Sequence, residues 1–245
     1  MGRKGPVRLR KLRDELMRAH PSISDPDAVI AGGAVEVDGR IVSNPASLVR
    51  EGAAIALRID EPLRGEAKLQ AALASFEITV RDRIALDVGA AAGGFTRVLL
   101  DAGARRVYAV DAGHGQLRGS LRQDARVVNL EATNLGELTT DLVCDTIDVV
   151  TLDLTYLALS DAVPQLETVR LAEGAHAVAL VKPQFELGLA EPPRDLQQLG
   201  EALNKARDAF LGAGWQTPEW IESPVRGRRG SIEFFLHAMR AAAGM

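Results

Sequence analysis

From residue 84 onward the chain alternates short apolar runs with amphipathic stretches. Apolar runs at 84–88, 107–110, 127–130, 147–152, 176–181, 216–221 and 232–238 have the length and bounding turns of strands. After the first run, Phe95, Val98, Leu99 and Ala102 recur at i, i+3, i+4 and i+7, which predicts a helix. Leu199, Leu203, Ala206 and Phe210 form one stripe over 195–212, and further helices are predicted over 160–170 and from Lys68 to Leu73. Strands alternating with helices predict an α/β fold with a doubly wound, mostly parallel sheet. Ligands of such sheets bind outside the carboxyl ends of the strands. Asp87, Asp111, Asp153 and Lys182 all end predicted strands on that edge.

The first 60 residues follow another pattern. Residues 8–19 suit a short amphipathic helix. Ala34–Val42 alternates apolar and polar residues around Asp38-Gly39, the signature of a β-hairpin, and 54–59 reads as one more strand. Asp60-Glu61-Pro62 breaks the pattern. Residues 1–60 are therefore expected to form a small α/β module, 61–66 a linker and 67–245 the main domain.

Charge sharpens this division. The 245-residue chain carries a formal net charge of −4, yet Arg3, Lys4, Arg8, Arg10, Lys11, Arg13 and Arg18 crowd its first 20 residues against only Asp14 and Glu15. A basic patch on an acidic chain fits a module that touches phosphate, a disordered tip being the alternative. Cys144 is the one cysteine, which excludes an internal disulfide, and no Cys/His cluster has zinc spacing, so no metal is expected. No apolar run reaches membrane-spanning length and the start lacks the apolar segment of a signal peptide, so a cytoplasmic protein without a membrane partner is expected.

The segment Asp87-Val88-Gly89-Ala90-Ala91-Ala92-Gly93-Gly94-Phe95-Thr96 joins the first strand to its helix. Its glycines permit a tight turn and close approach of a ligand to the main chain. A dinucleotide fingerprint requires G-x-G-x-x-G, and position 91 is Ala, so the spacing favours S-adenosylmethionine over NAD. Asp111 ends the second strand, about 20 residues past the loop, where a carboxylate accepts hydrogen bonds from ribose hydroxyls; a solvated strand end is the alternative. Lys182 directly follows a buried strand, Glu233 sits in an apolar run, and Lys68 lies on a helix that can cover the same edge. With Asp153 they make two lysines and two carboxylates suited to moving a proton from an alcohol, a poor nucleophile when neutral. Spacing alone leaves two structural salt bridges equally open.

At these residues the chain resembles the TlyA family, whose carboxyl-terminal domain is an FtsJ/RrmJ-like ribose 2′-O-methyltransferase. The likeness rests on LDVGAAAGGFT (86–96), VYAVDAGHGQL (107–117), LRQDARV (121–127), TLDLTYLAL (151–159), LVKPQFELG (180–188) and GSIEFFLH (230–237). It implies a Rossmann-like methyltransferase sheet whose last strand is antiparallel, S-adenosylmethionine as cofactor and cytidine riboses of ribosomal RNA, free or in ribosomal subunits, as substrate. It implies a catalytic tetrad of Lys68, Asp153, Lys182 and Glu233: Lys182 as base, Asp153 bridging the lysines, Lys68 and Glu233 orienting. It places Asp87, Gly89, Gly93, Gly94, Phe95, Asp111 and Asn134 around the cofactor, and makes residues 1–60 an RNA-binding module of the S-four ribosomal type, with Arg8, Arg10, Lys11 and Arg64 toward RNA.

The chain departs from the family pattern in three places. The module's basic helix aligns with Ser22–Ile30, where Ile23, Asp25 and Asp27 replace basic positions and Pro26 is expected to disturb the helix. The stretch before Lys68 reads Leu-Arg-Gly-Glu-Ala-Lys-Leu, one glycine short, and a glycine-rich segment after Lys182 is reduced to Glu191–Asp195. Lost phosphate contacts predict weak RNA affinity on that face. A second reading is thus a non-catalytic RNA-binding assembly factor; the intact tetrad opposes it. A membrane-lytic protein is a third, without an apolar or free amphipathic segment to support it.

Overall fold

A computed structural model describes residues 8–57 and 63–241. The chain divides into two compact units, Met1–Glu61 and Pro62–Met245. Arg3 and Lys4 of the basic patch lie outside the described residues.

The first unit contains β1 (Leu9–Lys11), α1 (Leu12–Ala19), α2 (Pro26–Ala31), β2 (Val35–Val37), β3 (Arg40–Ile41), β4 (Leu48–Arg50) and β5 (Ile55–Leu57). The hairpin forms as its Asp-Gly turn predicts, with β2 between β3 and β5. The helix expected over 8–19 starts only at Leu12, because Leu9–Lys11 pairs antiparallel with β4. Pro26 starts α2 instead of disturbing it: it occupies the first turn, where its missing N–H costs nothing, and Asp25 caps the helix by accepting from Ala28 N. Leu12, Leu16, Ile30, Val35, Val37 and Val49 form a small core.

The second unit runs α3 (Arg64–Ser75), β6 (Ile84–Val88), α4 (Gly94–Asp101), β7 (Arg106–Asp111), α5 (Gly119–Arg122), β8 (Val127–Glu131), β9 (Ile147–Leu152), α6 (Leu159–Ala162), β10 (Leu171–Val181), α7 (Pro183–Glu186), α8 (Leu196–Gly212), β11 (Trp215–Glu222) and β12 (Phe234–Arg240). Seven strands stand in the order β11-β12-β10-β9-β6-β7-β8. β12 runs antiparallel to both its neighbours; the other pairs are parallel. Helices cover both faces, which explains strands that read as unbroken apolar runs. Alternate residues serve opposite cores: Leu86, Val150 and Leu152 pack with Leu199, Leu203 and Phe210, while Ala85, Val149 and Phe235 pack with Leu69, Leu99 and Phe95.

Several boundaries moved. Helix α3 begins at Arg64, so residues 64–66 are helical and not linker. The helix expected over 160–170 is α6 followed by a 3₁₀ stretch, Val163–Thr168, because Pro164 has no N–H to continue α-helical bonding. β10 starts five residues earlier than predicted, with a register irregularity between Leu171 and His176 around Gly174, which has φ +69°. β12 starts at Phe234, leaving Glu233 outside the sheet, at its edge.

Asp87 is fully buried within β6 and accepts from Thr96 Oγ1 (2.6 Å) and Thr151 Oγ1 (2.8 Å). Burial pushes its pKa up to about 6, opposed by the two hydroxyls. A carboxyl whose folded-state pKa is raised stabilises the fold below its unfolded value and loses that contribution as pH rises through the folded one. Wild-type stability is therefore expected to fall by on the order of 3 kcal/mol between about pH 4 and pH 6 through this group. Urea unfolding of Asp87→Asn is expected to lack that fall; an unchanged pH profile would contradict the assignment.

Candidate active site

The carboxyl edge of the sheet opens into a cleft of about 1010 Å³. Register sets its chemistry. In the β10–β12 pairing Val181 faces Phe234, so Lys182 and Glu233 are the next positions outward on neighbouring strands. Ala179 of β10 faces Leu152 of β9, which places Asp153 at the adjoining strand end. Lys68 comes from α3, whose other inward residues, Leu69, Ala72 and Leu73, bind it to the sheet.

All four charged residues line the cleft, and they sort into two pairs. Lys68 Nζ donates to Glu233 Oε2 at 2.5 Å, with both side chains at least nine-tenths buried. Lys182 Nζ lies 2.5 Å from Asp153 Oδ1, an ion pair outside hydrogen-bonding angles, and donates to Leu154 O at 2.9 Å. Lys182 also sits 5.9 Å from the centre of the Phe185 ring. Asp153 was expected to bridge both lysines; among the described contacts it pairs with Lys182 alone. Partly buried ion pairs of this kind are costly to break on one side, since the remaining charge is left uncompensated.

The glycine loop forms the next wall. Gly89, Ala90, Ala91, Ala92, Gly94 and Phe95 line the cleft and present main chain with few side-chain atoms. Gly89 has φ +87°, and a Cβ there would stand 2.4 Å from the carbonyl oxygen of Asp153. Asp111 also lines the cleft; its Oδ2 accepts from Ala91 N at 2.8 Å and its Oδ1 from Gly113 N at 2.7 Å. The carboxylate thus holds the loop, and its oxygens keep lone pairs for further donors.

Three expected cofactor residues stand elsewhere. Asp87 lies beneath the loop, inaccessible. Gly93 is not in the lining; it caps α4 with φ +95°, where a Cβ would meet Leu121 at 2.1 Å. Asn134 is exposed and outside the lining, its Nδ2 donating to Glu137 of its own turn at 3.0 Å. Arg64 does line the cleft and donates to Arg226 O at 2.9 Å.

Other lining residues are given no role of their own by the sequence, although Gln116, Tyr156 and Ser231 fall inside the strings that carry the likeness. Gln116, Tyr156, Arg226, Arg229 and Ser231 come from loops whose approach depends on the fold. Glu131 fixes one such loop by accepting from Gln116 N (2.6 Å) and Leu117 N (3.0 Å). Burial works to raise its pKa, but those N–H groups, Asn129 and Arg122 prevail and hold it at about 2.

In the first unit much of the basic charge is neutralised internally. Arg10 pairs with Glu51 at 2.8 Å and Glu15 at 3.5 Å, Arg13 with Asp27 at 2.9 Å, and Arg18 with Glu15 at 3.4 Å. Arg8 and Lys11 are exposed.

Residues 63–240 match the profile of the FtsJ-like methyltransferases. The chain is 36% identical to the 16S/23S rRNA (cytidine-2′-O)-methyltransferase TlyA of Mycobacterium tuberculosis, over 96% of this chain and 90% of that protein. It is 32% identical to Hemolysin A of Brachyspira hyodysenteriae, over 85% of this chain and 90% of that protein. Among solved structures, a hemolysin-named protein of Streptococcus thermophilus superposes with a TM-score of 0.70 at 29% identity, covering 96% of this chain and 90% of that one. An S-adenosylmethionine-dependent methyltransferase of Mesorhizobium loti shares the fold, with a TM-score of 0.51 at 17% identity over 71% of this chain and 98% of that one. No helix among the described residues is long and apolar enough to cross a membrane.

The contact between Gly89 and the Asp153 carbonyl yields a direct test. Gly89→Ala is expected to destabilise the fold by about 2 kcal/mol or more, from the positive φ and the overlap together. The urea midpoint reads this; a midpoint equal to wild type would show that the loop does not approach Asp153 so closely.

Proposed function

This chain belongs to the FtsJ-like methyltransferase family, and from that premise we propose that it transfers a methyl group from S-adenosylmethionine to a cytidine ribose 2′-hydroxyl of ribosomal RNA. The observation that carries the reading is the convergence of Lys68, Asp153, Lys182 and Glu233 in one cleft beside the glycine loop. A non-catalytic RNA-binding factor has no use for two partly buried ion pairs facing an open cleft, since burying charge costs stability that pairing only partly returns.

The residues present fit the cofactor. The bare main chain of Gly89–Ala92 leaves room for close approach, and Asp111 offers acceptors for ribose hydroxyls. Gly89, Gly94, Phe95 and Asp111 are assigned to hold it; Asp87 and Gly93 shape the loop from behind. S-adenosylmethionine, when bound, supplies an electrophilic methyl group on a sulfonium.

The remaining work is alignment and one proton. Lys182, held by Asp153 and Leu154 O, is assigned to take the proton of the 2′-hydroxyl at Nζ as the neutral amine, after its ammonium proton has left to solvent through the open cleft. The Lys68–Glu233 pair is assigned to orient the ribose. Fixing the oxygen on line with the methyl carbon supplies much of the acceleration, because positioning alone is worth several kcal/mol. The first unit, with Arg10 and Lys11 on β1 and Arg8 just before it, is assigned to RNA, as is Arg64 at the cleft. With Arg10 engaged by Glu51, that face should bind phosphate modestly.

Radiolabelled S-adenosylmethionine and ribosomal RNA test this reading. Wild-type protein is expected to incorporate label, and Lys182→Ala to lose at least about 10²-fold in rate while still binding S-adenosylmethionine. Equal rates for the two proteins would remove Lys182 from the chemistry.

A further inference from the structure

Glu186 is a charged side chain only 2% exposed, in a place where the activity assigns it no task. Burial pushes its pKa up, against the N–H groups that bond it. A carboxyl group so buried must have its oxygens hydrogen-bonded, and the partners it takes decide what it holds. Its Oε1 accepts from Leu159 N at 2.7 Å, and its Oε2 from Ser160 N at 3.5 Å. The first contact has good geometry; the second is marginal.

The two ends of these bonds matter. α7 is a single turn with Lys182 as its N-cap and Glu186 as its last residue, and Glu186 N returns to Lys182 O at 3.2 Å. Leu159 closes the segment that begins at Asp153 and carries the cleft residues Leu154, Thr155 and Tyr156. That segment is therefore fastened to the α7 turn twice, by Lys182 Nζ on Leu154 O at its start and by Glu186 on Leu159 N at its end. Lys205 of α8 fixes the turn from behind by donating to Glu186 O at 2.5 Å.

We propose that Glu186 is a positioning residue: by holding Leu159 N it fixes the Asp153–Leu159 segment against the α7 turn and so sets the Lys182–Asp153 geometry. This rests on the methyltransferase reading for its kinetic consequence, though the bond itself does not. Reach, and not charge, is what the role requires. Glu186→Gln keeps an oxygen at the same distance, whereas Glu186→Asp keeps the charge and falls a methylene short.

The test compares these two variants with wild type in the full chain. Methyl transfer to ribosomal RNA gives kcat and the KM for S-adenosylmethionine, calorimetry gives cofactor affinity, and hydrogen exchange gives protection of the Leu159 amide. Glu186→Gln is expected within about threefold of wild-type kcat. Glu186→Asp is expected to lose about 10- to 100-fold in kcat, as a displacement of about 1 Å near the reacting atoms does, with cofactor affinity and KM held within about threefold. Leu159 protection should persist in the first variant and drop in the second. Equal kcat for Asp and wild type, a Gln variant as slow as Asp, or kcat lost only together with cofactor affinity or folding would each overturn the proposal. If wild-type protein transfers no methyl group, the reading of the activity fails on its own, and the exchange data alone decide whether Glu186 holds the segment.

Discussion

The site depends on two ion pairs held at the edge of a sheet whose strand order leaves them no other place. Asp153 and Lys182 leave adjacent parallel strands, and Glu233 enters the antiparallel strand beside Lys182. Lys68 reaches Glu233 from α3, packed on one face of that sheet. Lys68, Glu233 and Lys182 are shielded enough that losing a partner would leave each stranded, while Asp153 keeps partial contact with solvent. The glycine loop follows from the same constraint: at Gly89 the chain passes so near the Asp153 carbonyl that any Cβ would collide with it.

Behind this edge, carboxylates do the holding. Asp111 accepts two backbone N–H groups around the glycine loop, Glu131 two from the loop of Gln116, and Glu186 those at the start of α6. Asp87 ties α4 and β9 to β6 through two hydroxyls. Loop backbones lack a regular ladder of their own, and a carboxylate with several acceptor positions satisfies them well. Rigid loops in turn suit a reaction in which alignment is most of the work.

How much of this was legible varies by kind of signal. Strands at 84–88 and 147–152 fall where their apolar runs place them, since burial on both faces leaves an unambiguous pattern. The aspartates and lysine at strand ends were visible for the same reason. Boundaries set by distant partners were not: Leu9–Lys11 reads as the start of a helix until β4 pairs with it. Pro26 looked disruptive because its effect turns on whether it stands first in a helix or inside one, and the Asp25 cap decides that. The pairing of Lys68 with Glu233 and not with Asp153, and the hold of Glu186 on Leu159, join residues far apart in sequence, so no local pattern announces them. Asn134 sits near the expected cofactor in order along the chain, but Glu137 beside it claims the side chain.

The central claim is that this cleft directs a methyl group to a ribose oxygen. Nucleoside analysis of ribosomal RNA labelled by the protein with radioactive S-adenosylmethionine tests it most directly. The account predicts that the label elutes as 2′-O-methylcytidine; label on a base, with the 2′-hydroxyl free, would contradict it.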